Sequence, residues 1–122
     1  MFMKRAFYFF VLFSLMLLTS CRNDQIDEPN AFNPDCDQII SFNAEIISVM
    51  INSCATSGCH NQGIASAGYV FENHTQISEN ADMILATIRH QPGVVAMPIG
   101  QQLPQEFIEK FFCWMEQGKQ NN

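Results

Sequence analysis

Cys54-Ala55-Thr56-Ser57-Gly58-Cys59-His60 is the most informative stretch of this 122-residue chain. Two thiols and an imidazole fall within seven residues. The four residues between the thiols are all small, and glycine takes backbone angles closed to other residues. The spacer is therefore able to bulge. Upstream, Ser41 to Ser53 reads as a short amphipathic helix. Ile46, Ile47, Val49, Met50 and Ile51 supply its apolar face, and Asn43 or Ser41 suits its cap. Downstream, residues 61–70 contain Gly63 and Gly68 and read as loop. Residues 74–90 carry Ile77, Met83, Ile84, Leu85 and Ile88 at helical spacing, with a break near Glu79-Asn80 and an end at Pro92-Gly93. The last helix opens with Pro104, favoured in a first turn, and Glu106, favourable at the positive end of the helix dipole. Phe107, Ile108, Phe111, Phe112, Trp114 and Met115 cover a wide apolar arc, and Gly118 is a good stop. Val94-Val95-Ala96 is a short extended run and not a sheet. Nothing alternates as a strand should and no internal repeat is visible, so the expected class is all-α, three to four helices joined by long loops.

Length and composition narrow the function. The chain allows one domain, and 15% charged residues with 11 Phe argue against wholesale disorder. A formal charge of −6 argues against a nucleic-acid surface. No GxGxxG, P-loop or GxSxG is present, and no large α/β enzyme fits this length. No acid–base pair or nucleophile cluster supports catalysis, so the protein is not expected to be an enzyme.

The first twenty residues read as an address. Met1 to Arg5 is short and basic. Ala6 to Leu18 is apolar apart from Ser14 and the Tyr8 hydroxyl, too short to span a bilayer at about 20 residues and right for a signal-peptide core. Leu18-Thr19-Ser20-Cys21 resembles the lipobox of bacterial lipoproteins, which implies a lipid on the Cys21 thiol and cleavage just before it. An ordinary signal peptide with an incidental cysteine is the plainer alternative. Losing Lys4 and Arg5 leaves four of the six basic side chains against all twelve acidic ones, a formal charge of −8. Arg22 is not the Asp that resembles an inner-membrane retention signal. Asp24, Asp27 and Glu28 resemble the export tag of some surface lipoproteins. The expected location is the envelope of a Gram-negative-type bacterium, at the outer membrane, facing the periplasm or the surface. Residues 21–35, with Pro29 and Pro34, read as a lipid-attached flexible linker.

The folded unit is then residues 36–122, only 87 residues. A core that small usually needs a staple, a metal or a cofactor. The chain has five cysteines. With Cys21 assigned to lipid, Cys36 and Cys113 stand at the two ends of the unit, in a compartment where free thiols oxidise. Their pairing is the favoured disulfide, although sequence also permits Cys36 with Cys54 or Cys59.

A C-x-x-C-H run marks covalent haem attachment: two thiols form thioethers to the haem vinyl groups and the adjacent His ligates iron. The spacing here is the rarer C-x4-C-H. Residues 36–122 resemble a small monohaem c-type cytochrome domain: a helix into Cys54-Ala55-Thr56-Ser57-Gly58-Cys59-His60-Asn61, a Gly-containing loop, a middle helix, Ala96-Met97-Pro98 in a loop, then a final helix with Phe112-Cys113-Trp114-Met115-Glu116-Gln117-Gly118. The resemblance implies a cytochrome c-like bundle of helices around one covalent haem c. It implies Cys54 and Cys59 as attachment points and His60 and Met97 as axial iron ligands. His90 and His74 rival Met97 for the distal place, while Met50, Met83 and Met115 are explained by core packing. Trp114 or a Phe of the last helix is expected to cover the haem edge as well as pack. Three other readings stay open: a Cys54–Cys59 disulfide, a zinc site with His74 or His90 as distant ligand, and an incidental His60.

The functional expectation is a membrane-tethered carrier of single electrons, with a redox partner protein presenting basic groups to an acidic surface. The competing class is a haem-free, disulfide-stapled helical lipoprotein serving as a binding or accessory module. A third is a haem enzyme or sensor in which Met97 leaves the iron open.

Overall fold

Four helices and two irregular helical turns follow one another in the computed structural model, which describes residues 32–122. The leader, Cys21 and most of the linker lie outside the described residues. Among the described residues there is no strand, so the class is all-α. None of their helices is long and apolar enough to cross a membrane.

The first helical segment opens as a π-turn, Phe42–Ile46, and continues as α1, Ile47–Ser53. Ser41 is the cap: its Oγ accepts from the Ala44 amide at 3.2 Å. In return the Glu45 carboxylate accepts from the Ser41 amide at 3.0 Å. This is a capping box with the acidic residue one place later than usual. The shift follows from the π-turn, whose hydrogen bond spans an extra residue, from the Ile47 amide to the Phe42 carbonyl. Asn43, the other cap candidate, gives its amide to the Asn122 carbonyl at 2.9 Å instead.

Asn73 caps α2, His74–Glu79, by accepting from Gln76. The break expected near Glu79-Asn80 falls at Asn80, whose backbone leaves helical angles and whose side chain donates to the Gln76 carbonyl. Next comes α3, Ala81–Ile88. The last helix, α4, is Gln105–Glu116, with Pro104 standing one place before its first turn. The Pro104 carbonyl accepts from both Phe107 and Ile108.

The core gathers one face of each element. Ile46, Met50, Ile77, Ile88, Ile108, Phe111 and Trp114 are fully buried. Each such side chain contributes roughly 1.5–3 kcal/mol relative to exposure. Ile51, expected on the same face of α1, points to solvent. Trp114 packs against Phe111 and Phe42 at 5.4 and 5.5 Å between centroids, and its indole N–H donates to the Gln120 carbonyl.

The two ends of the unit are sewn together. Cys36 and Cys113 form a disulfide with Cα atoms 5.1 Å apart. Gln117 is a second clasp. Its Oε1 accepts from the Ile40 amide at 2.9 Å, and its Nε2 donates to the Cys36 and Gln38 carbonyls at 3.1 and 2.7 Å. Asn122 is a third: its Oδ1 accepts from the Phe42 amide and its carbonyl from the Ser41 hydroxyl.

Candidate functional site

The Cys54–His60 turn grows out of the end of α1. Cys54 is the C-cap, its amide donating to the Met50 carbonyl. The chain then folds back on itself. The Cys59 amide donates to Thr56, and the His60 amide donates to the Cys54 carbonyl at 3.0 Å, closing the turn. Gly58 sits at φ +91°, in the left-handed region, with open space where a Cβ would stand. Its role is therefore conformational freedom and not close approach. The turn is buttressed from the next segment. The Ser66 amide donates to the Cys59 carbonyl, and the Phe71 amide to the His60 carbonyl at 2.9 Å.

The two thiols are unequal. Cys54 is buried and Cys59 exposed, and neither is in a disulfide. Burial, with a smaller push from Cys59, raises the Cys54 thiol to about 11. It therefore stays protonated near neutrality and is a poor nucleophile or metal ligand as it stands. His60 is half-buried, its ring against Phe71 at 4.8 Å and Tyr69 at 6.5 Å. Its Nδ1 lies 3.3 Å from the Tyr69 carbonyl oxygen. A carbonyl only accepts, so Nδ1 carries a proton, and in the neutral ring Nε2 keeps its lone pair, the tautomer that suits a metal-binding histidine.

A cavity of about 690 Å³ opens beside this turn. That volume is in the range of cofactor and small-molecule sites. Cys54, Cys59 and His60 line it on one side. Tyr69 and Phe71 line it next to them. Met83, Ile84, Thr87 and Ile88 of α3 form another wall, and Met97, Pro98 and Ile99 with Val94 and Val95 form the last. No lining side chain carries a formal charge. The charge is held elsewhere: residues 46–71 and 90–105 contain no Asp, Glu, Lys or Arg.

The backbone at Met97 is tied to α3 by one hydrogen bond. Its amide donates to the Thr87 carbonyl at 3.1 Å, and the Thr87 hydroxyl donates to the Ile84 carbonyl. The two histidines that rivalled it do not line the cavity. His74 gives Nε2 to a 2.8 Å contact with the Lys119 carbonyl and packs edge-on against Phe42 and Trp114. His90 has a left-handed backbone and a buried Nε2 with no hydrogen-bond partner. Among the described residues no group of three or more His, Cys, Asp or Glu is gathered for a metal ion, so the zinc reading has no further ligand to draw on.

Two placements differ from expectation. No residue of α4 lines the cavity, so Trp114 packs only in the core. The aromatic walls are Tyr69 and Phe71. Met83, read as core packing, lines the cavity and is only half-buried. The signal for it is the width of the α3 apolar stripe. Ala81, Ile84, Leu85 and Ile88 already fill the core face, which leaves Met83 and Thr87 for a second one.

No protein-family model, curated protein or solved structure matches the chain.

Proposed function

We propose that this protein is a membrane-tethered c-type cytochrome that passes single electrons through one covalently attached haem. One observation carries the reading: Cys54, Cys59, His60 and Met97, far apart in residue type and drawn from two chain segments, line one uncharged cavity. The donor set fits a haem. Cys54 and Cys59, both free thiols, would hold it through thioethers, each thiol adding across one vinyl group with its hydrogen going to the neighbouring carbon. The His60 imidazole and the Met97 thioether, both lining the cavity, would hold the iron.

A bound haem would supply an iron that changes charge by one unit. The chain's own residues do the rest. Tyr69, through its carbonyl, orients His60. Phe71, Ile84 and Ile88 exclude water from the cavity wall, which with a Met/His pair favours a raised potential. With His60 and Met97 both holding iron, no position would be left for a substrate, which favours electron transfer over catalysis. Cys21 carries the lipid that tethers the chain. The partner is a redox protein that presents basic groups to the acidic surface and meets the uncharged cavity mouth.

The test is a reduced-minus-oxidised absorption spectrum of the protein from its own host, repeated after denaturation and acid–acetone extraction. Sharp c-type bands that stay with the polypeptide are expected. They should leave with the solvent in a Cys54→Ser/Cys59→Ser variant. A colourless wild-type protein would overturn the proposal in favour of a haem-free binding module.

A further inference from the structure

The cavity contains one more soft donor than the proposed haem site uses. Met83 and Met97 both line it, and both are half-buried. Their supports differ. Met83 is on α3, a helix anchored by Ile84, Leu85 and Ile88, all buried. Met97 is on the segment between α3 and α4, which carries Val95 67% exposed and Ile99 84% exposed. The backbone of that segment is tied to α3 at its start by the Gln91–Ala86 bond and again by the Met97–Thr87 bond, both 3.1 Å, and between them locally by a long 3.4 Å bond from Val94 to Gln91. A side-chain bond from Gln102 to the Ile88 carbonyl holds its far end. Local opening takes place where buried contacts and hydrogen bonds are few. The segment bearing Met97 therefore opens at lower cost than α3 unfolds.

We infer that Met83 is a reserve thioether ligand of this cavity, taking the distal iron position when Met97 is removed or its segment swings away. This rests on the haem reading above. A methionine has three rotatable side-chain bonds and a polarisable sulfur, so it reaches irregular positions without backbone change. Thr87, one turn on, shares its helical face, and the buried Ile84 and Ile88 line the cavity beside it.

The experiment uses the full-length, haem-loaded chain as wild type, Met97→Ala, Met83→Leu and the double variant. Carbon monoxide binding to the reduced protein and the spin state of the oxidised protein are read by absorption. Circular dichroism verifies that each variant is folded, and Met97→Leu serves as a volume-conserving second version. Met97→Ala is expected to stay low-spin and to resist carbon monoxide nearly as well as wild type. The double variant is expected to lose that resistance. If Met97→Ala and Met97→Leu take up carbon monoxide as readily as the double variant, the reserve ligand does not exist, while the haem reading stands. If wild type holds no covalent haem, the haem reading itself falls and this inference with it.

Discussion

α4 and the segment just before it, residues 91–104, are neighbours in sequence and opposite in physical character. α4 buries Phe107, Ile108, Phe111, Cys113 and Trp114. Its one buried indole N–H is satisfied, and its cysteine is bridged. Residues 91–104 also carry apolar side chains, yet Val94, Val95 and Ile99 remain exposed around a cavity. The first region is a completed core. The second is half of one, with apolar walls and, among the described residues, no side chain that fills them. Exposed apolar patches on a small domain mark where something else is to be bound. Stability is concentrated in α4 and its partners, and the soft donors and the free thiols are concentrated around the cavity.

That division is open to direct attack. The largest effect should come from Trp114→Ala, which empties the centre of the completed core. A loss of up to about 5 kcal/mol is expected from denaturant unfolding, with collapse of helix content near physiological temperature. If the loss were below about 1 kcal/mol, the core would not be where stability resides. Next is the disulfide. Replacing Cys36 and Cys113 together by Ala releases a closure of 77 residues, worth about 4 kcal/mol in the chain-entropy account. Both substitutions lie outside the cavity, so the spectrum of any bound group should be unchanged at temperatures where the variant stays folded. A changed spectrum would mean that the two regions are coupled.

The smallest effect sharpens the comparison from the cavity side. In the haem-free chain, Cys54 is held as a thiol by burial, raised from 9.0 to about 11. The folded state then keeps a proton that the unfolded state gives up. This contribution is fully present below about pH 9 and is lost as pH rises through about 11. The expected loss is at most about 2–3 kcal/mol, read from denaturant midpoints across that window. Cys54→Ala should remove most of the dependence, leaving the part that belongs to Lys110, raised by its hydrogen bonds to Glu106 and Glu45. A wild-type midpoint that stayed level across the window would show that Cys54 is solvated and that the cavity wall is not closed there.

Much of the completed core was legible in the chain, and less of the cavity. The arc Phe107–Ile108–Phe111–Trp114 is periodic, so α4 announces itself. Asn80 is a poor helix interior residue flanked by two helical patterns, so the break announces itself too. Cys36 and Cys113 are legible because so few other pairings suit the two ends of the unit. What periodicity does not encode is the partner of a side chain many residues away. Gln117 reads as an ordinary polar residue at a helix end, yet its amide serves three backbone groups near Cys36, up to 81 residues distant. His74 reads as a ligand candidate because imidazole is chemically versatile, and only the fold shows its Nε2 engaged with Lys119. Met83 and Trp114 exchanged expected places for the same reason. Spacing says which residues share a helix face, and packing decides which face meets the cavity. The turn around Gly58 is the intermediate case: small residues and one glycine announce a tight reversal, but not the hydrogen bond from His60 to Cys54 that closes it.

The sewn ends of the unit also have a mechanical meaning. A pull delivered through the chain ahead of Cys36 arrives first at a covalent bridge. From there it enters α4 at Cys113, and the Gln117 and Asn122 clasps share the load over Ile40 and the start of the first helical segment. None of these load-bearing residues lines the cavity. Tension on the chain ahead of Cys36 is thus borne by the disulfide and the two clasps, and the turn that holds Cys54, Cys59 and His60 lies off the line of force.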